Sequence, residues 1–273
     1  MKKEKSSTDD ELVLYDELPL WSAPFGMILL DTVRMRKGIN ILDIGSGWGF
    51  PMIELAERFG SSCQVTGIDP SADSVRMITR KIKRKGIPNA RIFSVRAEEM
   101  PFPDGFFGLV VANNGLNNVG DVGRTLRECF RVLDAGGQLV ATVNLPHTFV
   151  EFYAVFESAL RELGLDEEIR RMRDHIDEKR KPVEYWRERI EKAGFDIRSI
   201  RPDGFRIRCS DGSAFLRHSF IRRAFLGPWE SVVPEALKIQ VFSLIEERLN
   251  QEAASSGSLE MSVPLACFDC EKG

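Results

Sequence analysis

Cysteine and histidine are scarce in this sequence, with five cysteines and three histidines scattered over 273 residues. An odd, dispersed set of cysteines does not make a disulfide framework and is typical of a reducing compartment. Cys267 and Cys270 form one CxxC, but no second CxxC or nearby pair of histidines completes a metal site. We therefore predict a cytoplasmic protein with structural thiols and no bound metal.

Long apolar runs and an excess of positive charge are also missing. No stretch of 18 consecutive residues is apolar, so no membrane span is predicted. After the initial MKKEK, acidic residues interrupt the chain before an apolar signal-peptide core appears. The sequence therefore predicts a soluble, unexported protein. The 38 Lys and Arg residues are balanced by 41 Asp and Glu residues, whereas nucleic-acid binders need surplus positive charge to neutralise phosphates. We expect neither a membrane span nor a nucleic-acid partner, and the sequence leaves an oligomer open.

Short apolar runs alternate with amphipathic stretches in the first half of the chain. The runs predict strands at 40–44, 64–68, 91–95, 108–113 and 137–144, after a turn at 134–137, and two more strands follow at 196–200 and 259–270. Strands joined by helices form a parallel sheet with right-handed crossovers. The predicted fold class is α/β, a doubly wound, mostly parallel sheet of seven strands with helices on both faces.

The same patterns divide the chain into four segments. Residues 1–36 form a tail and a lid segment, and 37–145 form the sheet core. Residues 146–258 are predicted to be a helical insertion, or substrate lobe, that carries the sixth strand. Residues 259–273 supply the closing strand of the core.

The string ILDIGSGWGF ends the first predicted strand and contains Asp43 and three glycines, at positions 45, 47 and 49. Glycine lets the backbone turn tightly and approach a ligand more closely than a side chain would permit. Twenty residues after Gly49, Asp69 ends the second strand in VTGIDP, where its carboxylate can accept hydrogen bonds from ribose hydroxyls. Together these features predict an adenosine-containing ligand across the two strand ends.

The glycine spacing separates two classes of ligand. A nicotinamide dinucleotide fold uses G-x-G-x-x-G, which would require glycine where this chain has Phe50. The pattern here is D-x-G-x-G-x-G. Pro51 at the helix start is also acceptable for a ligand that places no pyrophosphate there.

The stretch from Ile41 to Asn144 resembles the class I S-adenosylmethionine-dependent methyltransferases, and among them the ubiquinone/menaquinone-biosynthesis type of the small-molecule branch. The strings RAEEMPFPDGFFGLVVANNGLNNVGD and LRECFRVLDAGGQLVAT carry the resemblance beyond the glycine loop. It implies an enzyme that transfers a methyl group from S-adenosylmethionine to a small-molecule acceptor. A non-catalytic adenosylmethionine-binding module and a nicotinamide-dependent oxidoreductase are the alternatives.

The resemblance also implies which residues bind the cofactor. The glycine loop with Asp43 surrounds the methionine part, Asp69 holds the ribose, the loop at 97–98 borders the adenine, and Asn113 offers its backbone to the ligand's amino group. Arg96 replaces the family's usual Asp, and because a guanidinium cannot accept a hydrogen bond, Glu98 or a backbone carbonyl is expected to do so. The implied residues on this edge are Asp43, Gly45, Ser46, Gly47, Gly49, Asp69, Pro70, Ala97, Glu98 and Asn113.

Aromatic residues concentrate upstream of the first strand, in 15–25. This predicts a lid that folds over bound cofactor, with Tyr15 at the cofactor and Trp21 and Phe25 at the acceptor. Permanent packing on the sheet is the alternative. We expect Asn117, His147 and Tyr153 to line the rest of the acceptor pocket.

Three clues bear on the acceptor and its chemistry. His147, just after the fifth strand, is the candidate for a general base, against a surface or core role. The stripe from Phe149 to Phe156 would suit an apolar or ring-containing acceptor, and ordinary packing is the alternative. An acidic group on the acceptor could meet the basic residues of 198–223, for which a solvated face is the alternative. These residues are Arg198, Arg201, Arg206, Arg208, Arg217, Arg222 and Arg223.

Overall fold

A computed structural model describes residues 21–273 and shows strands and helices in alternation over the first half. The elements of this half are α1 (Ser22–Thr32), β1 (Asn40–Ile44), α2 (Met52–Phe59), β2 (Gln64–Ile68), α3 (Ala72–Lys85), β3 (Ala90–Phe93), β4 (Phe107–Asn113), α4 (Val122–Val132) and β5 (Leu133–Asn144). The second half is mostly helical. Its main elements are α5 (Val150–Glu162), α6 (Asp166–Lys179), α7 (Val183–Lys192), β6 (Phe195–Cys209), α8 (Gly212–Arg217), α9 (Lys238–Ser256) and β7 (Leu259–Lys272), with short helical segments between α8 and α9.

The seven strands form one sheet in the order β3-β2-β1-β4-β5-β7-β6. β1 pairs in parallel with β2 on one side and β4 on the other, and Asp43 lies opposite Gly67 and Val111. The predicted fold class is confirmed. The strand order reverses beside β1, and in open parallel sheets ligands bind at the carboxyl ends of the strands at such a point.

The helices α3 and α4 begin at residues whose side chains cap the first turn. The Ser71 hydroxyl accepts from the amide of Ser74 and begins α3, which ends at Gly86 in the left-handed conformation. The Asp121 carboxylate accepts from the amide of Arg124 and begins α4. Side-chain caps therefore fix the first turn of both helices.

Two strands, β5 and β6, differ from the predicted bounds by more than two residues. The predicted turn at 134–137 lies inside β5 as a bulge, because Phe107 pairs with Leu133 and Leu109 already pairs with Gln138. β6 continues through Pro202 to Cys209, well past the predicted end at 200. β6 lies at the edge of the sheet and has a neighbouring strand on one side only. Proline lacks a backbone N–H, and an edge strand can accommodate it because one side of the strand needs no hydrogen bonds to a neighbour.

The chain divides into two compact units. The first, which we call the core unit, contains 21–143, Val183–Asp203 and Leu265–Gly273 of the described residues. The second, the insertion unit, contains Asn144–Pro182 and Gly204–Pro264. The division into four segments stays a prediction.

The insertion unit is built around aromatic side chains. The predicted stripe on α5, formed by Phe149, Phe152 and Phe156, is fully buried. The Phe152 ring stacks on Trp229 with centroids 4.0 Å apart, and the Trp229 indole donates to the Tyr153 hydroxyl at 2.9 Å. The stripe is therefore the packing face of this unit, as the alternative interpretation held.

Arg131 on α4 ties down the loop between β3 and β4. Its guanidinium donates to the carbonyls of Phe102 and Met100 at 2.7 and 2.9 Å. It also pairs with Glu128 at 2.7 Å and with Asp104 at 2.8 Å. One side chain thus holds three residues of this loop, Met100, Phe102 and Asp104.

We expect Arg131→Ala to lower the free energy of unfolding by about 2–3 kcal/mol, because hydrogen bonds to a charged group contribute about 1.5–3 kcal/mol. Urea denaturation measures the change. The matched control is Arg127→Ala, at an exposed position on the same helix, which should change stability by about 0.5 kcal/mol or less. Equal effects of the two substitutions would contradict the role of Arg131.

Candidate functional site

The glycine loop after β1 is held against the end of β2. The amides of Gly45 and Ser46 both donate to the carbonyl of Ile68, at 2.9 and 3.1 Å. The glycines at 45, 47 and 49 have φ angles of 69°, 53° and 99°, which side chains rarely adopt. The loop therefore has its shape only because glycine occupies these positions.

Asp69, at the end of β2, is hydrogen-bonded on both carboxylate oxygens. Oδ2 accepts from the amide of Gly47 and Oδ1 from the amide of Ser71, each at 2.9 Å. The residue that caps α3 is Ser71, so the role of Asp69 is to join the glycine loop to the loop after β2. Each carboxylate oxygen can accept a second hydrogen bond, so Asp69 keeps the capacity to accept from a ligand.

Asp43 is fully buried, and neither of its carboxylate oxygens has a hydrogen-bond partner within 21–273. Burial raises the pKa of Asp43 from 3.8 to about 7, and the negative charge of Asp69 adds to the shift. An unsatisfied buried carboxyl is costly in a folded protein. It fits a ligand that brings hydrogen-bond donors or positive charge to this edge.

The loop after β4 lies directly on the loop after β1. A Cβ on Gly115 would come within 2.5 Å of the carbonyl oxygen of Ile44, so only glycine permits this approach. Sequence reasoning missed Gly115, and its one signal was a glycine placed two residues after the end of a predicted strand. The Asn113 side chain donates to the carbonyl of Ser22 at 3.1 Å and accepts from the hydroxyl of Thr142 at 3.0 Å. It therefore holds the start of α1 to the end of β4.

The described part of the predicted lid is helical and packed. Trp21 and Phe25 are buried with ring centroids 5.5 Å apart. Gly26 of α1 faces Phe50 so closely that a Cβ there would lie 1.9 Å from the ring. Tyr15 lies outside the described residues, and closure of the lid stays a prediction.

The Ala97-Glu98 loop is organised by a carboxylate. Glu98 Oε1 accepts from the amides of Gly120 at 2.7 Å and Asp121 at 3.3 Å, and Arg96 lies 3.6 Å away. Burial acts to raise the pKa of Glu98, but these hydrogen bonds and the Arg96 charge outweigh it and hold the pKa below its usual value. Glu98 therefore has a local partner for its charge, and its predicted role toward an adenine stays a prediction.

The remaining predicted site residues fall in different places. In the core unit, Pro70 is exposed beside Asp69, Ala97 is buried, and Asn117 is half-buried in a short 3-10 turn. In the insertion unit, His147 is exposed with a φ of 69°, whereas Tyr153 is buried.

The arginines predicted to receive an acidic group mostly have partners already, which favours the solvated-face alternative. Arg198 pairs with Glu271, Arg206 and Arg208 with Glu260, Arg217 with Glu246, and Arg201 donates to the Thr32 hydroxyl.

From 21 to 273, no group of three or more His, Cys, Asp or Glu side chains is arranged to hold a metal ion. Within that range no helix combines the length and apolar character needed to cross a bilayer. All five cysteines are unpaired, and burial raises the pKa of the Cys267 thiol to about 11.

Comparison with known proteins identifies this edge of the sheet. A family model described as a methyltransferase domain matches residues 41–137. Over these residues the chain is similar to methyltransferase domains. The match takes in the glycine loop, Asp69, the Ala97-Glu98 loop and Asn113.

Curated proteins similar to this part of the chain include demethylmenaquinone methyltransferases. The protein from Listeria welshimeri is 35% identical over 136 residues, which cover 48% of this chain and 58% of the relative. The protein from Geobacillus sp. is 32% identical over 124 residues, with 45% and 53% covered. The chain thus matches less than two thirds of the length of either relative.

Solved structures extend the similarity in fold to most of the chain. YcgJ from Bacillus subtilis matches with a TM-score of 0.61 and 18% identity, over 92% of this chain and 98% of that one. Geranyl diphosphate methyltransferase, solved with GPP and sinefungin, matches with a TM-score of 0.56 and 17% identity, over 92% and 77%. At these identities the likeness concerns the fold.

Because the Asp43 carboxyl is buried, we expect the substitution Asp43→Asn to raise the free energy of unfolding by an amount that depends on pH. The folded protein holds the Asp43 proton up to about pH 7, whereas the unfolded chain releases it near pH 3.8. The wild type therefore loses stability between about pH 4 and 7, and the variant escapes this loss. Above pH 7 we expect the variant to be more stable by up to about 4 kcal/mol, and near pH 4 the two should be similar.

Thermal or urea unfolding of both proteins across this pH range measures the difference. A constant difference at all pH values would show that Asp43 ionises in the folded protein as it does in the unfolded chain.

Proposed function

We propose that this protein is an enzyme that transfers the methyl group of S-adenosylmethionine to a small-molecule acceptor. The observation that carries the proposal is the joined edge of β1 and β2, where Asp69 holds the amide of Gly47 beside the unpartnered carboxyl of Asp43. The match to a methyltransferase domain over the same residues supports it.

Each residue of this edge has a role in the proposal. The second acceptor positions of Asp69 receive the ribose hydroxyls. The nearest atom to a Cβ on Gly47 would be the carbonyl oxygen of Gly45 at 3.9 Å, so the methionine part has room to lie against this backbone. Asp43 receives the ligand's ammonium group, directly or through water, and Ala97, Pro70 and the backbone of Asn113 complete the site.

The chain's contribution to the chemistry is placement. The cofactor supplies a methyl group on a sulfonium, which is already an excellent leaving group. Holding an acceptor atom about 3 Å from that methyl in a dry cleft supplies about 7–11 kcal/mol of the barrier reduction. A base is needed only where the acceptor must lose a proton, and His147 is our candidate for that role.

The acceptor in this proposal has an apolar or ring-containing body and an acidic group, and the protein acts in the cytoplasm. The unpaired state of all five cysteines supports that compartment. The lid over 15–25 and the acceptor contacts of Trp21, Phe25, Asn117 and Tyr153 belong to the same proposal.

Neither alternative function is favoured. An oxidoreductase would need glycine in place of Phe50, whose ring lies against Gly26 instead. A non-catalytic module would share the cofactor site, so only turnover separates it from an enzyme. Incubation with a labelled methyl donor and a panel of apolar acids should release adenosylhomocysteine with at least one acceptor. Binding of the donor without release from any acceptor would favour the module.

The space beside Gly47 provides the first mutational test. Gly47→Ala should lower adenosylmethionine affinity about tenfold or more, because the methyl group would occupy ligand space. Gly86→Ala is the matched control, since Gly86 has a similar φ of 64° and no atom within 4 Å of the place that a Cβ would occupy. Both variants should lose about 1–2 kcal/mol of stability from backbone strain, but only the first should lose affinity. Equal affinities in the two folded variants would contradict the placement of the ligand.

Asp69→Ala should weaken adenosylmethionine binding by about 1.5–3 kcal/mol, as expected when hydrogen bonds to a charged group are lost. Asp73→Ala is the control, because Asp73 lies in the next helix and pairs with Arg76 at 2.9 Å. Calorimetric titration of the folded variants gives both affinities. Wild-type affinity in the first variant would refute the ribose role.

A further inference from the structure

Arg180 is a half-buried cation with no acidic partner among residues 21–273. It follows α6 in the insertion unit, and its Nε is enclosed without a hydrogen-bond partner. The contacts recorded for its guanidinium are a long hydrogen bond of 3.4 Å from Nη1 to the carbonyl of Lys179 and the ring of Phe225, 5.7 Å from Cζ to the centroid. Across the described chain, no carboxylate lies within 4 Å of it.

The arginines of the preceding helix differ from Arg180. On α6, Arg173 pairs with Glu157 at 2.8 Å, and Arg170 pairs with Glu167. Enclosing a charge without a counter-ion is unfavourable, because the lost hydration is not replaced. Burial lowers the pKa of Arg180, yet a guanidinium remains protonated in proteins. The fold therefore keeps a positive charge where packing alone gives no reason for one.

Polar and aromatic groups surround this charge. The Tyr153 hydroxyl accepts from the Trp229 indole and keeps its own hydrogen to donate. The Phe225 ring that faces the Arg180 guanidinium lies 5.5 Å, centroid to centroid, from the ring of Trp229, which donates to Tyr153. Burial raises the pKa of Tyr153, and the positive charge of Arg180 acts against this shift. The half-buried rings of Phe225 and Phe220 lie 5.7 Å apart, with Phe225 facing the guanidinium.

The titratable neighbours of Arg180 add no surplus positive charge. Burial lowers the pKa of His175, the charges of Arg180 and Lys179 lower it further, and Glu178 acts to raise it. Lys179 pairs with Glu178 at 3.1 Å, so its charge is balanced. The region around Arg180 therefore favours an anion because of Arg180 itself. Its two kinds of side chain, charged donors and aromatic rings, match a ligand with an acidic end and an apolar body.

We propose that Arg180 and the Tyr153 hydroxyl bind the acidic group, a carboxylate or a phosphate, of a small molecule whose apolar part lies against Phe225 and Phe220. That this molecule is the methyl acceptor rests on the proposed function. The anion site itself does not depend on methyl transfer. It replaces the ion-paired arginines of 198–217 as the receptor for the acceptor's acidic group.

A purely structural role is the competing account. Arg180 could serve only to close the end of α6 through the Lys179 carbonyl and to stack on Phe225. The two accounts differ in stability. Loss of a structural contact lowers the melting temperature, whereas loss of an unpartnered buried charge leaves it unchanged or raises it.

The test uses calorimetric titration and thermal unfolding of the full chain with Arg180→Gln, Arg180→Lys and the control Arg173→Gln. The probes are phenyl phosphate, phenylacetate, benzyl alcohol and inorganic phosphate. We expect the wild type and Arg173→Gln to bind one or both aromatic acids, benzyl alcohol to bind more weakly, and Arg180→Gln to lose about tenfold or more in affinity. Arg180→Lys should retain part of the affinity, because it keeps the charge without the planar pair of donors.

The proposal is overturned if neither aromatic acid binds the wild type, if Arg180→Gln binds them equally, or if it melts at a clearly lower temperature with unchanged binding. Inorganic phosphate that binds as tightly as phenyl phosphate would overturn the aromatic part. Adenosylmethionine affinity is measured on the same proteins and should be equal in all of them. Failure of adenosylmethionine to bind any of them would count against the proposed function while leaving the anion result to stand separately.

Discussion

The hydrogen bond from the amide of Gly47 to the carboxylate of Asp69 connects the ends of two parallel strands, and the candidate site depends on it. The strands bring their backbones to one edge by pairing, but pairing does not fix the loops that follow them. Asp69 does so with its two oxygens, one toward each loop. Gly115 then lets the loop after β4 approach the end of β1 closely enough to complete a continuous backbone surface. A site that binds mainly through backbone and carboxylates needs this rigidity, because its donors and acceptors cannot adjust separately.

Each of the two units holds a charge-bearing group that has no hydrogen-bond partner on a buried polar atom within the described residues. In the core unit it is the carboxyl of Asp43, and in the insertion unit the guanidinium of Arg180. Stability alone would favour their replacement by neutral side chains, since both lose hydration without gaining a partner. Functional residues are often retained at a cost in stability. The opposite signs of the two groups suit a ligand ammonium at the first and a ligand acid at the second.

The sequence was most informative where local chemistry determines structure. Apolar runs placed β1 and β2 correctly, and the glycines with Asp43 and Asp69 predicted the edge that the structure brings together. The length of β6 was not predicted, because a proline such as Pro202 usually ends a strand. An edge strand can contain a proline, and the position of β6 at the sheet edge is visible only in the structure. The bulge in β5 was read as a turn, because only the pairing with β4 shows that the strand resumes on the same ladder.

Long-range contacts account for what sequence could not supply. The stripe on α5 has the same periodicity whether it faces a ligand or a core, and only its packing on Trp229 decides between them. The arginines of 198–217 were equally ambiguous until their partners on other elements were known. Arg180 follows a highly charged helix, and the sequence cannot distinguish it from the paired arginines of that helix, because a missing partner is visible only in three dimensions.

The most direct measurement for the central claim is a calorimetric titration of the wild-type protein with S-adenosylmethionine and, separately, with NADH. Both ligands carry an adenosine, so in this account Asp69 contributes equally to the binding of each. The difference between the two affinities then depends on the glycine spacing and on Asp43. The account predicts saturable binding of one adenosylmethionine per chain and much weaker binding of NADH. Tighter binding of NADH than of adenosylmethionine would contradict it.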